Sequence, residues 1–328
     1  MRSLRPSTDG TLNCFTDGDQ YRRSPFFQEH PHAFQFVLYF DGVDPARSQG
    51  PKSGIHEFGN FLLRILNLPP KINNSMSSIF PLILANNNDC KGTFEGVLRR
   101  FVDDLIKFEN GGEMCFDMDR TETIFGTLVA AKGDAKAIHA LLGLLDPGGA
   151  KHFCRDCMIC REDFLEGTVA LGDPRTPELT DYHLRRVEEN IPNASTNSGL
   201  RYRTVLHDIQ FRLEDNQNFD ILHDFSEGVI LMIMRLCLKE FVVDRRSFDV
   251  NNLNARIFAF NYGKANQRDK PNITFEVPSL QDDGDLIHLN KMVPKLIYCL
   301  EPYLFCLIIF QKMLMKLLIV STIKCTCC

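Results

Sequence analysis

The sequence lacks an apolar segment near its start. Residues 1–9 read Met-Arg-Ser-Leu-Arg-Pro-Ser-Thr-Asp, whereas a secretory signal peptide has an apolar stretch of about 7–15 residues in this region. We therefore expect no signal peptide. Outside the secretory route disulfides are rare, so we expect the 12 cysteines to be thiols or metal ligands.

The sequence also lacks an excess of basic residues. Its 37 Lys and Arg against 42 Asp and Glu give a formal net charge of −5, which excludes a simple basic protein that coats nucleic acid. An enzyme that acts on nucleic acid is not excluded, because local basic patches and bound metal ions can supply positive charge. A hydrophobic content of 44% and a charged content of 24% are near globular averages and exclude wholesale disorder.

Long apolar runs are scarce. The only membrane candidate is Tyr303–Ile323, and Lys312 and Lys316 interrupt it. Each lysine costs about 2.5–3.5 kcal/mol near the centre of a membrane helix. The last four residues have the spacing of a prenylation signal, but Thr326 and Cys327 are not aliphatic. We expect no membrane or lipid anchor.

Apolar runs that alternate with turn residues predict the order strand, strand, strand, helix, strand, helix. The three leading strands are predicted to form an antiparallel meander, and a crossover helix, capped by Thr93, leads to a fourth strand parallel to an earlier one. The class is α/β with a mixed sheet, and the RNase H-like fold is one such architecture. Residues 1–30 are polar and are predicted to be frayed. The predicted strands are 34–40, 58–68, 78–85 and 123–131, and the predicted helices are 94–108 and 136–145.

Acidic residues follow two of these strands. Asp41 ends the first strand and Asp134 ends the fourth, and functional groups gather at the carboxyl ends of strands in open α/β sheets. If these strands are neighbours, the two carboxylates converge on a divalent cation such as Mg²⁺. Glu227 is the best third acid for a two-metal site, because Ser226 can cap a helix that begins beside it. Asp224 is its competitor, and a turn or a helix cap is the plainer interpretation of each acid.

A cysteine cluster lies between residues 152 and 160. Cys154 and Cys157 form a C-x₂-C pair, and a structural zinc ion takes four ligands, usually Cys and His. Cys160 or His152 is the candidate third ligand, and His223 is placed to close the site. An iron–sulfur cluster also uses such spacing but lacks a convincing fourth cysteine here. Reduced, partly buried thiols are the alternative.

Five short motifs together resemble the DDE transposases of the CACTA (En/Spm) type and the animal proteins derived from them. The similarity extends over roughly residues 30–240. The motifs are Leu38–Pro45 (LYFDGVDP), Asn67–Pro70 (NLPP), Gly133-Asp134, Phe153–Cys157 (FCRDC) and Asp220–Val229 (DILHDFSEGV).

The resemblance implies a catalytic domain of RNase H-like fold over 31–240, with a Cys/His insertion at about 150–222. Residues 241–328 are predicted to be helical, and their apolar tail is atypical of the family. The resemblance also implies that Asp41, Asp134 and Glu227 bind Mg²⁺ or Mn²⁺ and cut and join DNA strands. It further implies zinc on Cys154, Cys157 and His223. We expect a nuclear protein that binds DNA, and a homo-oligomer is one possibility.

A second hypothesis comes from a different class of function. Relatives carry a longer segment before the catalytic domain, so the chain can also be interpreted as an inactive remnant that binds DNA or protein. The complete set of acids favours the enzyme.

Overall fold

A computed structural model gives the structure of the protein over most of its first 261 residues. Contacts divide the chain into two compact units, Met1–Phe219 and Asp220–Cys328. The residues described are 11–12, 14–43, 57–73, 75–86, 88–90, 92–117, 120–168, 172–216, 220 and 230–261.

Six strands form two sheets in the described part of the first unit. They are β1 (Phe34–Val43), β2 (Phe58–Ile65), β3 (Ile79–Asn86), β4 (Gly112–Asp117), β5 (Arg120–Ile124) and β6 (Gly126–Lys132). The larger sheet has the order β3-β2-β1-β6, and β4 pairs with β5. Strands β1, β2 and β3 are antiparallel neighbours, whereas β6 runs parallel to β1. The predicted α/β class with an antiparallel meander and a parallel fourth strand is confirmed.

Most of the helices are short. No helix in the described ranges has both the length and the apolarity needed to cross a membrane, and the candidate run Tyr303–Ile323 lies outside those ranges. The α-helices are α1 (Asp19–Arg23), α2 (Pro25–Glu29), α3 (Pro70–Asn73), α4 (Glu95–Glu109), α5 (Ala135–Leu141), α6 (Arg161–Leu165), α7 (Pro177–Glu188), α8 (Ala194–Ser198) and α9 (Leu213–Asn216), followed in the second unit by α10 (Ile230–Leu238) and α11 (Val250–Ala259). A π-helical segment, Lys239–Asp244, follows α10.

Helix α4 provides the crossover between the meander and β6. Its apolar residues recur at helical spacing, so one face packs on the sheet and the other is solvated. Successive side chains of β1 point to opposite faces of the sheet. Phe36, Leu38 and Phe40 share one face and belong to the same core as the buried residues of α4. The buried residues of α4 are Leu98, Phe101, Val102 and Leu105.

The start of α4 differs from the prediction. The N-cap is Phe94, with φ 59°, and no side chain caps the helix, so the prediction that Thr93 caps it is wrong. Phe94 is 1% exposed and its ring lies edge-on to Phe40 and Phe61, with centroids 5.4 and 6.1 Å away. Burial of a phenylalanine contributes about 1.5–3 kcal/mol, which offsets the roughly 1 kcal/mol of a left-handed non-glycine residue.

The N-terminal segment covers the opposite face of the sheet. Residues 1–30 were expected to be frayed, but α1 and α2 are helical, and Phe26 and Phe27 are 5% and 4% exposed. These rings pack with Val37, Val129 and Ala130 of strands β1 and β6. Helices of five residues are unstable alone, so the aromatic contacts with the sheet explain why this polar segment is ordered.

Two further boundaries differ. The predicted strand 123–131 is split at Phe125 between β5 and β6, and Phe125 stacks on His30 with ring centroids 3.7 Å apart. The predicted helix 136–145 ends at Leu141 as α5, because Gly143 adopts φ +71°. A Cβ at Gly143 would lie 2.2 Å from the carbonyl oxygen of Tyr202, so the chain must turn at a glycine.

His139 of α5 is a core residue. It is 6% exposed, and its Nδ1 lies 2.8 Å from the carbonyl oxygen of Leu145. Burial lowers the pKa of His139, because the imidazolium form would lose its hydration.

We expect the protein to lose stability as the pH falls below about 6.5, the ordinary pKa of histidine. Because the folded pKa of His139 is lowered, the unfolded chain binds the proton first. This costs up to about 1.4 kcal/mol per pH unit. The free energy of unfolding in urea, measured from about pH 7.5 to 5.5, should fall less steeply for His139→Gln than for the wild type.

The exposed His32 provides the control. His32→Gln should keep the wild-type slope. Equal slopes for His139→Gln and the wild type would contradict the assignment.

Candidate active site

Two carboxylates lie at the carboxyl end of neighbouring parallel strands. Asp41 is in β1, opposite Asn60 of β2, and Tyr39 is in register with Lys132 at the end of β6. Asp41 is two residues after Tyr39, and Asp134 is two residues after Lys132. The parallel register therefore brings the chain at Asp41 and at Asp134 to the same end of these two strands, with Asp134 just after β6 as the N-cap of α5. Strand β1 continues to Val43, so Asp41 lies within the strand rather than after it.

Gly133 allows the two strands to stay close at this end. A Cβ at Gly133 would lie 2.4 Å from the carbonyl oxygen of Phe40. Any other residue would push the chain away from β1 just before Asp134. The Gly133-Asp134 pair thus combines a close backbone approach with an acid at the point where α5 begins.

Each acid has a hydrogen bond that fixes its side chain. The Oδ1 of Asp134 accepts a bond of 2.6 Å from the N–H of Ala137, so Asp134 is the N-cap of α5. The Oδ2 of Asp41 accepts a bond of 3.3 Å from the hydroxyl of Tyr39. Both acids are half-buried. The helix-cap interpretation therefore holds for Asp134, and a cap engages one of its two oxygens.

Glu227, its competitor Asp224 and the histidine His223 lie outside the described residues. The site is therefore built from Asp41 and Asp134 alone.

Cys154 and Cys157 form a local knuckle. The sulfur of Cys154 accepts hydrogen bonds from the N–H groups of Asp156, at 3.4 Å, and of Cys157. The thiols of Cys154 and Cys157 also form a hydrogen bond with each other. Burial raises the pKa of Cys154, while the two N–H groups act in the opposite direction because they stabilise a thiolate. Cys157 is 5% exposed. The backbone thus brings two sulfurs together and directs donors to one of them.

The other two candidate ligands each have a hydrogen-bond partner of their own. The Nδ1 of His152 lies 2.8 Å from the carbonyl oxygen of Met158, and the sulfur of Cys160 donates to Glu162 at 2.6 Å. Cys160 is the N-cap residue of α6, which turns its side chain toward the first turn of that helix. Within the described ranges, no three His, Cys, Asp or Glu side chains are arranged to hold a metal ion.

Sequence reasoning missed Arg175. It is 5% exposed, and its guanidinium donates to backbone carbonyls of the cysteine loop and of α8. Arg175 stands alone between Pro174 and Thr176. No spacing or composition signal distinguishes a buried arginine of this kind from a solvated one.

Comparison with known proteins returns no relative: no protein-family model matches the chain, and no curated protein matches its sequence. The assignment of function therefore depends on the site geometry and the motifs.

We expect Asp134→Ala to lower the free energy of unfolding by about 1 kcal/mol, because it removes the N-cap of α5. Asp134→Asn should stay within about 0.5 kcal/mol of the wild type, since an amide oxygen accepts the same bond. Urea denaturation of both variants measures this. An alanine variant as stable as the asparagine variant would mean that the cap contributes nothing.

Proposed function

We propose that the chain is a transposase-derived nuclear protein with an RNase H-like core that cleaves and joins DNA strands in a reaction dependent on divalent metal ions. The proposed catalytic residues are Asp41, Asp134 and Glu227. The observation that carries the proposal is that Asp41, within β1, and Asp134, just after β6, lie at the same end of two adjacent parallel strands. The motif resemblance to DDE transposases supports the same reaction.

The two acids suit Mg²⁺ or Mn²⁺. Neighbouring carboxylates repel one another unless a cation compensates them, and Mg²⁺ is usually held by one or two carboxylates together with substrate phosphates. Both side chains are also held by hydrogen bonds, from Tyr39 to Asp41 and from Ala137 to Asp134. The two carboxylates are therefore of the ligand type that a hard divalent ion prefers.

Each of the three acids has a role in the proposed reaction. When bound, divalent ions activate an attacking hydroxyl and stabilise the leaving oxygen in phosphoryl transfer. Asp41 and Asp134 would hold these ions at the carboxyl end of β1 and β6. Glu227 would complete the charge around them.

Basic side chains flank the acid pair. Lys132 ends β6 and Lys136 lies in the first turn of α5, and both are exposed on either side of Asp134 in sequence. Lysines contact phosphate oxygens and position a nucleic acid without specifying its sequence. They favour a polyanionic strand as the substrate, despite the overall negative charge.

A structural zinc ion is the second element of the proposal. Zinc would be bound by Cys154, Cys157 and His223. The N–H groups that point at Cys154 fit a zinc-bound thiolate, because such donors stabilise negative sulfur. The pair supplies only two ligands, so the remaining ligands must come from elsewhere in the chain.

An inactive binding protein is the alternative. The observation in its favour is that Asp134 caps α5, which explains this acid without catalysis. The same fold would then present DNA- or protein-binding surfaces.

We expect the purified full chain to nick DNA in the presence of Mg²⁺ or Mn²⁺. Asp41→Asn and Asp134→Asn should each reduce the rate by about a hundredfold or more, because each removes a charge that holds the metal. Conversion of supercoiled to nicked plasmid measures the rate.

Asp104→Asn is the matched control. Asp104 is exposed on α4 and pairs with Lys107, so its loss should leave nicking unchanged. If the folded wild type cleaves no DNA with either ion, the binding alternative stands.

We expect about one zinc ion per chain in metal analysis, since the knuckle and His223 form a single site. Cys154→Ser should lose the zinc, whereas Cys160→Ser should keep it, because Cys160 bonds to Glu162 instead. A wild type without zinc, or equal loss in both variants, would contradict the site.

A further inference from the structure

Strand β3 forms one edge of the larger sheet. It pairs with β2 on one side, and no strand in the described ranges pairs with its other side. None of its eight residues, Ile79–Asn86, is charged. Natural proteins protect a sheet edge with charged side chains, a proline or a bulge, because an open apolar edge invites another strand to add to it.

The protection covers only the first half of β3. Pro81 has no N–H to donate, and the register with β2 skips Leu82, so the strand carries a bulge at this point. Residues 83–86 return to a regular register, and the strand ends at Asn86. The unprotected stretch therefore runs from Leu82 to Asn86, and Leu84 lies at its middle.

A shallow cavity of about 480 Å³ lies beside the unprotected stretch, between the end of β3 and the first turn of α4. Leu84 lines it and is 70% exposed. Gly96 of α4 also lines it, and a Cβ at Gly96 would meet no atom within 4 Å, so packing within the chain does not require a glycine there. One surface thus carries both a protruding apolar side chain and open space next to it.

The charges at this surface favour a second copy of the chain as its occupant. When a strand pairs with its own copy about a two-fold axis, the residue at the axis faces itself, so a charge there would repel its copy. The stretch around Leu84 has no charge. Among the described residues that line the cavity, Asp89 alone is charged. It lies five residues beyond Leu84, so the two copies of this acid would stand on opposite sides of the axis.

We infer that two copies of the chain associate through β3, antiparallel about a two-fold axis at Leu84, so that the sheet continues from one copy to the other. The two Leu84 side chains would then lie opposite each other, with Cβ atoms about 4.5–5.5 Å apart. One contact of this kind covers both edges and leaves no edge for further growth. The inference does not depend on the proposed reaction, because β2 separates β3 from the strand that carries Asp41.

The experiment measures the mass of the full chain in reducing buffer by sedimentation equilibrium over a range of concentrations. The wild type should form a reversible dimer of the 37.5 kDa chain. Leu84→Lys and Leu84→Glu should each weaken association by about tenfold or more, because like charges would face each other at the axis. An equal mixture of the two variants should recover the dimer, because a lysine then faces a glutamate.

Leu165→Lys is the matched control. Leu165 belongs to α6 and is 73% exposed, so the same substitution is made at a similarly exposed leucine outside β3. This variant should associate as the wild type does. Circular dichroism identifies the variants that remain folded, which we expect of all three because the replaced side chains are exposed.

The inference is overturned by a wild type that stays monomeric, which would leave the cavity to another molecule, or by one that forms species larger than a dimer. It is also overturned if folded Leu84→Lys dimerises as tightly as the wild type, or if the mixture of the two charge variants stays monomeric. Should Leu84→Lys not fold, Leu84→Glu carries the same comparison. The DNA-cleavage proposal is judged separately, from the nicking rate of Asp41→Asn.

Discussion

The parallel pairing of β1 with β6 is the contact on which the fold and the candidate site both depend. Parallel strands cannot be joined by a tight turn, so the chain needs the α4 crossover to return to the same end of the sheet. Packing of α4 on Leu38 and Leu128 makes that return favourable, and Gly133 permits the close approach. The same pairing brings Asp41 and Asp134, which are far apart in sequence, to the same end of the sheet.

The elements that could be predicted are those in which the local sequence pattern agrees with the burial of the side chains. Strands β1, β2 and β3 are apolar runs bounded by turn residues, and α4 shows helical spacing, so local pattern and tertiary burial agree. Helices α1 and α2 could not be predicted, because Phe26 and Phe27 sit in a polar segment and become ordered only on the finished sheet. The Phe94 cap has the same origin: its conformation is set by Phe40 and Phe61 rather than by neighbouring residues.

In the candidate site, too, features set by local sequence or strand order could be predicted, and features set by tertiary contacts could not. That Asp41 and Asp134 come at the same end of two adjacent parallel strands could be stated in advance, because it follows from the strand order. The knuckle at Cys154 is also local, because the N–H groups of the next residues form it. The orientation of Cys160 toward Glu162 depends on where α6 begins, and the burial of Arg175 depends on contacts with α8. Neither of these leaves a signature in the sequence.

The cap on Asp134 bears on whether the acid is structural or catalytic, and the two roles are compatible. A helix N-terminus stabilises negative charge, which is the form in which a carboxylate binds a cation. The bond from Ala137 uses one oxygen and fixes the side chain, so little ordering remains to be done when a metal arrives. Tyr39 does the same for Asp41 from a rigid strand. In the proposed metal site, these two hydrogen bonds would orient both acids before a cation binds, which is what preorganised ligands require.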